Sequence, residues 1–197
     1  MKLSKRLRQW MGYKRIAIAE ACVIGAVSGL AAVVLKRSIG WLTQWRIEQI
    51  DHAWYLLPLM GMIGAWSAGW LVEHLSPEAS GSGIPRIKAV LGQKSVALNL
   101  RVAVVKMTST IIALGSGLSL GRQGPTVQIG AALAAQLSRW LPTSPEYRQQ
   151  LIAAGAAAGL AAGFNAPIAW VLFVVEELLQ EFSGFTLGSA ILASFFG

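Results

Sequence analysis

The sequence predicts an all-α membrane protein made of multiple tilted and partly discontinuous transmembrane helices. Three observations predict it. Of its 197 residues, 54% are hydrophobic and only 13% are charged, against about 25% charged in an ordinary soluble domain. Mean hydropathy is +0.54. Long apolar runs are separated by short clusters of Gly, Pro and Ser, several of which fall inside otherwise continuous apolar stretches.

The first element is a basic segment, residues 1–15, with Lys2, Lys5, Arg6, Arg8, Lys14 and Arg15 and no acidic residue. Basic residues before the first apolar run place the N-terminus on the cytoplasmic side of a multi-pass integral membrane protein. They flank a membrane segment rather than lining a soluble face, so the partner they predict is anionic membrane lipid and not nucleic acid. The transmembrane region is then 16–197. Its first span is Ile16–Leu35. Twenty helical residues at about 1.5 Å each reach about 30 Å, the thickness of the hydrocarbon core, and the run is too long for the apolar core of a signal peptide. Ala53–Val72 is the second span. Trp10, Trp41, Trp45, Trp54, Trp66 and Trp70 sit toward the ends of these two segments, as interfacial belts require.

After Glu73 the pattern becomes irregular. "SPEASGSGIPRI" (76–87) is a Gly/Ser/Pro break. Val102–Leu120 is apolar except for Lys106. "GRQGPTVQIG" (121–130) breaks the chain again before a short run, Thr126–Leu137. Leu151–Gly163 is rich in Ala and Gly, "FNAP" (164–167) interrupts, and Ile168–Leu179 ends in Glu176 and Glu177. Phe185–Gly197 opens another apolar helix. Runs of this length suit half-spanning helices buried among others, because broken backbone at membrane depth persists only where protein or a cavity satisfies it. Unequal helices with interior breaks are the pattern of a transport protein. Gly155, Gly159 and Gly163 recur at four-residue spacing, which lets a neighbouring helix approach closely.

The breaks read as helix starts. Pro125 suits the first turn of a helix, where its missing N–H costs nothing. The unpaired N–H groups around it give the helix end about half a positive charge, which attracts anions. Pro85 and Pro167 stand in the same relation to their apolar runs, and Ser82 adds a hydroxyl donor. Donors without a full charge suit an anion that must also leave. The same residues also fit three proline kinks with no ligand. Other chemistries are excluded more firmly. The glycines of "GSGLSLGRQGP" lack phosphate-loop spacing, His52 and His74 are isolated, no Ser/His/Asp set is apparent, and the single Cys22 forms neither a disulfide framework nor a cysteine metal site. No enzymatic activity and no cofactor are expected.

"GSGIP" (81–85), "GRQGPTVQIG" (121–130) and "GFNAPIAWVLFVVEEL" (163–178) resemble, in order and spacing, the signature motifs of the CLC family of chloride channels and chloride/proton antiporters. The resemblance runs from about residue 8 to residue 197. It implies the first inverted repeat of a CLC-type fold, chloride as transported ligand, and a homodimer when the protein is complete. The second half, which in the family supplies a G-x-F-x-P loop and a tyrosine to the chloride site, is not found in this sequence. A non-conducting half that needs a separate second half is therefore the competing expectation.

Position by position, the resemblance implies that Ser82 coordinates the central chloride within the loop Gly81, Ser82, Gly83, Ile84 and Pro85. Arg86 departs from the glutamate common in the family. Arg122, Gly124 and Pro125 match the second loop, and Gln123 stands at the position of the family's gating glutamate. Glu177 matches a carboxylate that passes protons in the antiporters, and Lys106 falls where relatives carry a buried lysine. A gating carboxylate repels an anion about 4 Å away by about 4 kcal/mol at an effective dielectric near 20. Gln123 keeps the shape but has no titrating group in the working range, so the expectation is chloride passage without obligatory proton exchange.

Overall fold

The computed structural model describes residues 2–50, 54–92, 97–141, 145–179 and 184–197. Among them every regular element is helical: α1 (Lys2–Ile50), α2 (Leu57–Leu75), α3 (Ile84–Leu91), α4 (Leu100–Gly115), α5 (Gln123–Trp140), α6 (Pro145–Phe164), α7 (Pro167–Phe173) and α8 (Gly184–Phe196). Short 3-10 turns at Trp54–Leu56 and Pro77–Ala79 precede α2 and α3, and a π-helical stretch, Val174–Leu179, continues α7. Ala53, the expected start of the second span, and His52 lie outside the described residues.

Each boundary has a local cause. The side chain of Asn99 caps α4 by accepting from the Val102 N–H at 3.0 Å, as a helix-start Asn should. Asn165, at φ 56°, ends α6 in the left-handed conformation that Asn tolerates better than most residues, and Pro167 starts α7 two residues later. The helix α1 begins at Lys2 and continues from the basic segment into the first apolar run. Within α1, Ile18–Gln49 is the only stretch among the described residues long and apolar enough to cross a membrane by length and composition.

Like α1, two further helices are longer than their apolar runs. The Thr126–Leu137 run lies inside α5, which extends through Ser138, Arg139 and Trp140. The cation Arg139 there meets the negative end of the helix. The Leu151–Gly163 run lies inside the 20-residue α6, which takes in Tyr147, Arg148, Gln149 and Gln150 before it. α3, α7 and the 13-residue α8 remain as the short pieces the sequence pattern suggests.

The core is built from small residues. All of Leu151–Leu160 in α6 is buried, and α6 packs against α1, α5, α7 and α8. Where α5 crosses α6, a Cβ on Gly130 would collide with the carbonyl oxygen of Gly155, and a Cβ on Gly155 would collide with Ala134. A Cβ on Gly159 would come within 3.0 Å of the Thr126 carbonyl oxygen. The spaced glycines of α6 thus serve close backbone contact. Ile24, Leu35, Ile87, Leu98, Leu151 and Leu160 fill the core beside them, while other large apolar side chains point outward, among them Leu30, Met62, Ile63 and Trp66, each more than half exposed. Such an exposed face fits surroundings that are themselves apolar.

Replacing Gly130 by Val forces α5 off α6. The expected result is a loss of about 1–3 kcal/mol, the usual range for overpacking, read as a lower unfolding midpoint in detergent. An equal change at Gly61, where an added Cβ meets nothing within 4 Å, should leave the midpoint unchanged.

Candidate functional site

The site begins with the loop between α2 and α3. Gly81 and Gly83 both have positive φ, 73° and 84°, a conformation that other residues enter only at a cost. Two buried side chains from other helices hold this loop by its carbonyls. Lys106 of α4 donates from Nζ to the Ala79 oxygen at 2.8 Å and to the Gly81 oxygen at 2.6 Å. Gln128 of α5, fully buried, donates from Nε2 to the Glu78 oxygen at 2.7 Å and packs beneath Gly83. In a trans peptide the carbonyl and the next N–H point in opposite directions. With the Gly81 carbonyl on Lys106, the N–H of Ser82 is turned away from that lysine.

Two helix N-termini are exposed by this arrangement. In α3 the first closing bond runs from the Ile87 N–H to the Gly83 oxygen at 3.1 Å. The N–H groups of Ile84 and Arg86 therefore have no acceptor within the helix, and Pro85 has none to leave. In α5 the first bond runs from the Thr126 N–H to the Arg122 oxygen at 3.1 Å. That leaves Gln123 and Gly124 as unpaired donors beside Pro125. The two ends touch, since a Cβ on Gly124 would collide with the Ser82 carbonyl oxygen. A cleft of about 960 Å³ opens where they meet, walled in part by Gly81, Ser82, Ile84, Lys106, Gln123, Gly124 and Pro125. Glu73 also reaches it.

Not every residue singled out in the sequence lies on the cleft. Gly83 and Pro85 support the loop from behind rather than walling it. Arg122 turns the other way, its guanidinium 5.1 Å above the ring of Phe164, a cation–π contact that ties the start of α5 to the end of α6. Phe164 packs in turn on Trp170 at 4.9 Å. The "FNAP" break therefore contributes a brace and stays off the cleft. Arg86 donates to the Ser80 hydroxyl at 2.7 Å on an exposed face. Glu177 sits in the π-helical stretch, where Lys88 of α3 pairs with its Oε1 at 2.5 Å. Sequence reasoning missed Lys88 and Gln128. For Gln128 a signal existed, a long amide in the middle of an apolar helix. For Lys88 none did, because its partner is 89 residues away.

Paired helix starts around a cleft, inside a body whose outer faces are apolar, are features of a helical membrane protein. Residues 64–197 match the sequence profile of the voltage gated chloride channel family, and the chain belongs to that family, whose members are integral membrane proteins. It is 39% identical over 189 residues to the H(+)/Cl(-) exchange transporter ClcA of Salmonella arizonae, covering 92% of this chain and 40% of that protein. Its fold superposes on a slow cyanobacterial Cl-/H+ antiporter with a TM-score of 0.82 at 30% identity, over 91% of this chain and 44% of that one. On a eukaryotic CLC transporter the TM-score is 0.84 at 26% identity, over 93% and 37%. The chain thus spans less than half the length of the relatives it matches.

Replacing Lys106 by Met orphans the Ala79 and Gly81 carbonyls. A buried unsatisfied acceptor costs about 1–3 kcal/mol, so the unfolding midpoint in detergent should fall by an amount matching two such groups. A midpoint equal to that of the unmodified protein would show that the loop is held by something else.

Proposed function

We propose that this chain forms the first half, residues 16–197, of a chloride-transporting unit, and that the anion sits where the N-termini of α3 and α5 meet. The observation that carries this reading is the contact of Gly124 with Ser82. It brings two sets of unpaired backbone donors and Ser82 to a single cleft whose wall also carries Lys106 and Glu73. Lys106 lends positive potential while its ammonium is engaged by two carbonyls. Such donors favour an anion without trapping it. The relatives' names supply the anion: ClcA and the cyanobacterial antiporter are both named for the exchange of chloride and protons. The unit is a homodimer of complete subunits, with residues 1–15 cytoplasmic.

Transport in this reading is channel-like or uncoupled from protons. Gln123 on the cleft wall carries no titratable proton. Glu177, the other candidate carrier, has its Oε1 paired with Lys88. A second reading is favoured by coverage. The matched relatives are more than twice as long as the part this chain covers, and on that reading the chain alone binds chloride and conducts only with a separate second half.

Liposomes loaded with a pH-sensitive dye separate these cases. The expected result for the transport unit containing this chain is chloride efflux with no proton movement, and Gln123→Glu should make the efflux fall as pH rises through the carboxylate range. Proton uptake at a fixed ratio to chloride, or a Gln123→Glu variant with unchanged pH response, would overturn the proposal. Efflux that appears only when the second half is co-expressed selects the second reading.

A further inference from the structure

A second cleft, of about 560 Å³, lies between the end of α1, the start of α2 and the turn after α4. Its lining is apolar, with Leu57, Met62 and Leu118 prominent, apart from Ser116 and one cation, Arg46. Ser116 is spent within its own helix, donating to the Ala113 oxygen at 2.9 Å. Arg46 is not spent. Among the described residues it makes no ion pair and no hydrogen bond, and its Nε is buried without an acceptor. Its guanidinium occupies the space a Cβ would take on Gly117, which has φ 103°, so the backbone is shaped to receive it. The nearest acidic residue in sequence, Glu48, is two positions on and faces another side of α1.

The same cleft receives the first turn of α2. Leu57, Pro58 and Gly61 wall it, and that turn has neither a side-chain cap nor an acidic residue. The 3-10 turn Trp54–Leu56 runs directly into α2, so this helix start adds no free donor beside Pro58, and the positive feature of the cleft is Arg46 alone. The described lining of this apolar cleft holds no anionic group. Trp41 and Trp45 stand exposed nearby on α1, as side chains at a membrane interface do.

We propose that this cleft binds one anionic glycerophospholipid, its phosphodiester on the Arg46 guanidinium and an acyl chain along Leu57, Met62 and Leu118. Arginine is the side chain best suited to grip a phosphate with two parallel bonds. A soluble anion would use the charge and leave the apolar walls uncovered. A choline headgroup would bring a second cation beside Arg46, so phosphatidylglycerol should bind better than phosphatidylcholine.

The test is native mass spectrometry of the full chain, delipidated in a neutral sugar detergent and titrated with palmitoyl-oleoyl phosphatidylglycerol. One lipid per chain is expected. Binding should weaken about tenfold in Arg46→Gln, the effect of losing a charge-assisted bond, and similarly in Met62→Trp, which fills the apolar part. Arg46→Lys should fall between. If Arg46→Gln fails to fold, Arg46→Lys and Met62→Trp carry the comparison. Three results would overturn the proposal: variants that bind as tightly as the wild type, deacylated glycerophosphoglycerol competing as well as the lipid, which makes the site one for free anions, and a lipid-independent dimer lost in Arg46→Gln, which makes the occupant a second copy of the chain.

Discussion

The grip of Lys106 on the carbonyls of Ala79 and Gly81 is the constraint on which the rest of the site depends. A backbone loop inside a membrane protein must have its polar groups satisfied. A lysine does this for two acceptors at once, and Gln128 does it for a third. Both side chains pull on carbonyls and neither consumes an N–H. The loop is thereby fixed with its donors unspent. Glycines at 81 and 83 make the necessary turns, and a glycine at 124 lets the second helix start come into backbone contact. A larger residue at 124 would separate the two N-termini and divide one cleft into two weaker ones.

The framework that supports this contact is stiff because its helices are close. Backbone meets backbone at Gly130 and Gly155, and the buried face of α6 is mostly Ala and Gly. In apolar surroundings, helices gain little by hiding large apolar side chains from the outside, and association rests on close packing instead. Many large apolar side chains, Trp66 and Met62 among them, are correspondingly left on the periphery. The core gives α4 and α5, which supply Lys106, Gln123 and Gln128, a fixed separation, and that separation positions the loop between them.

Charge is used sparingly and locally. Arg122, the cation nearest the second loop in sequence, is stacked on Phe164 and kept off the cleft wall. Lys88 and Glu177 neutralise each other across two elements. What remains at the cleft is the partial charge of backbone dipoles together with Lys106, spent on two carbonyls, and Glu73. Such an environment attracts an anion while the energy of release stays small, which is what passage requires. Arg46 is the contrast, an uncompensated guanidinium in a cleft of its own.

Helicity, a place in the membrane, the positions of the breaks and the amide at position 123 were all legible in the chain before it folded. Those properties are local: apolar runs, Gly and Pro at helix starts, and the identity of one side chain. The motifs also pointed to the family. The extra turns of α5 and α6 were not legible, because Ser138, Arg139 and residues 147–150 are polar, and polarity at a helix end does not mark a stop. Which donors face the cleft was settled by packing. Ser82 and Gly124 are 42 positions apart and touch only because α3 and α5 cross where they do. Packing likewise settled that Arg122 braces Phe164, that Gln128 holds a loop 50 residues before it, and that Lys88 takes Glu177. Long-range pairing of this kind leaves no periodic mark in a chain, since it depends on how helices cross and not on the order of neighbouring residues.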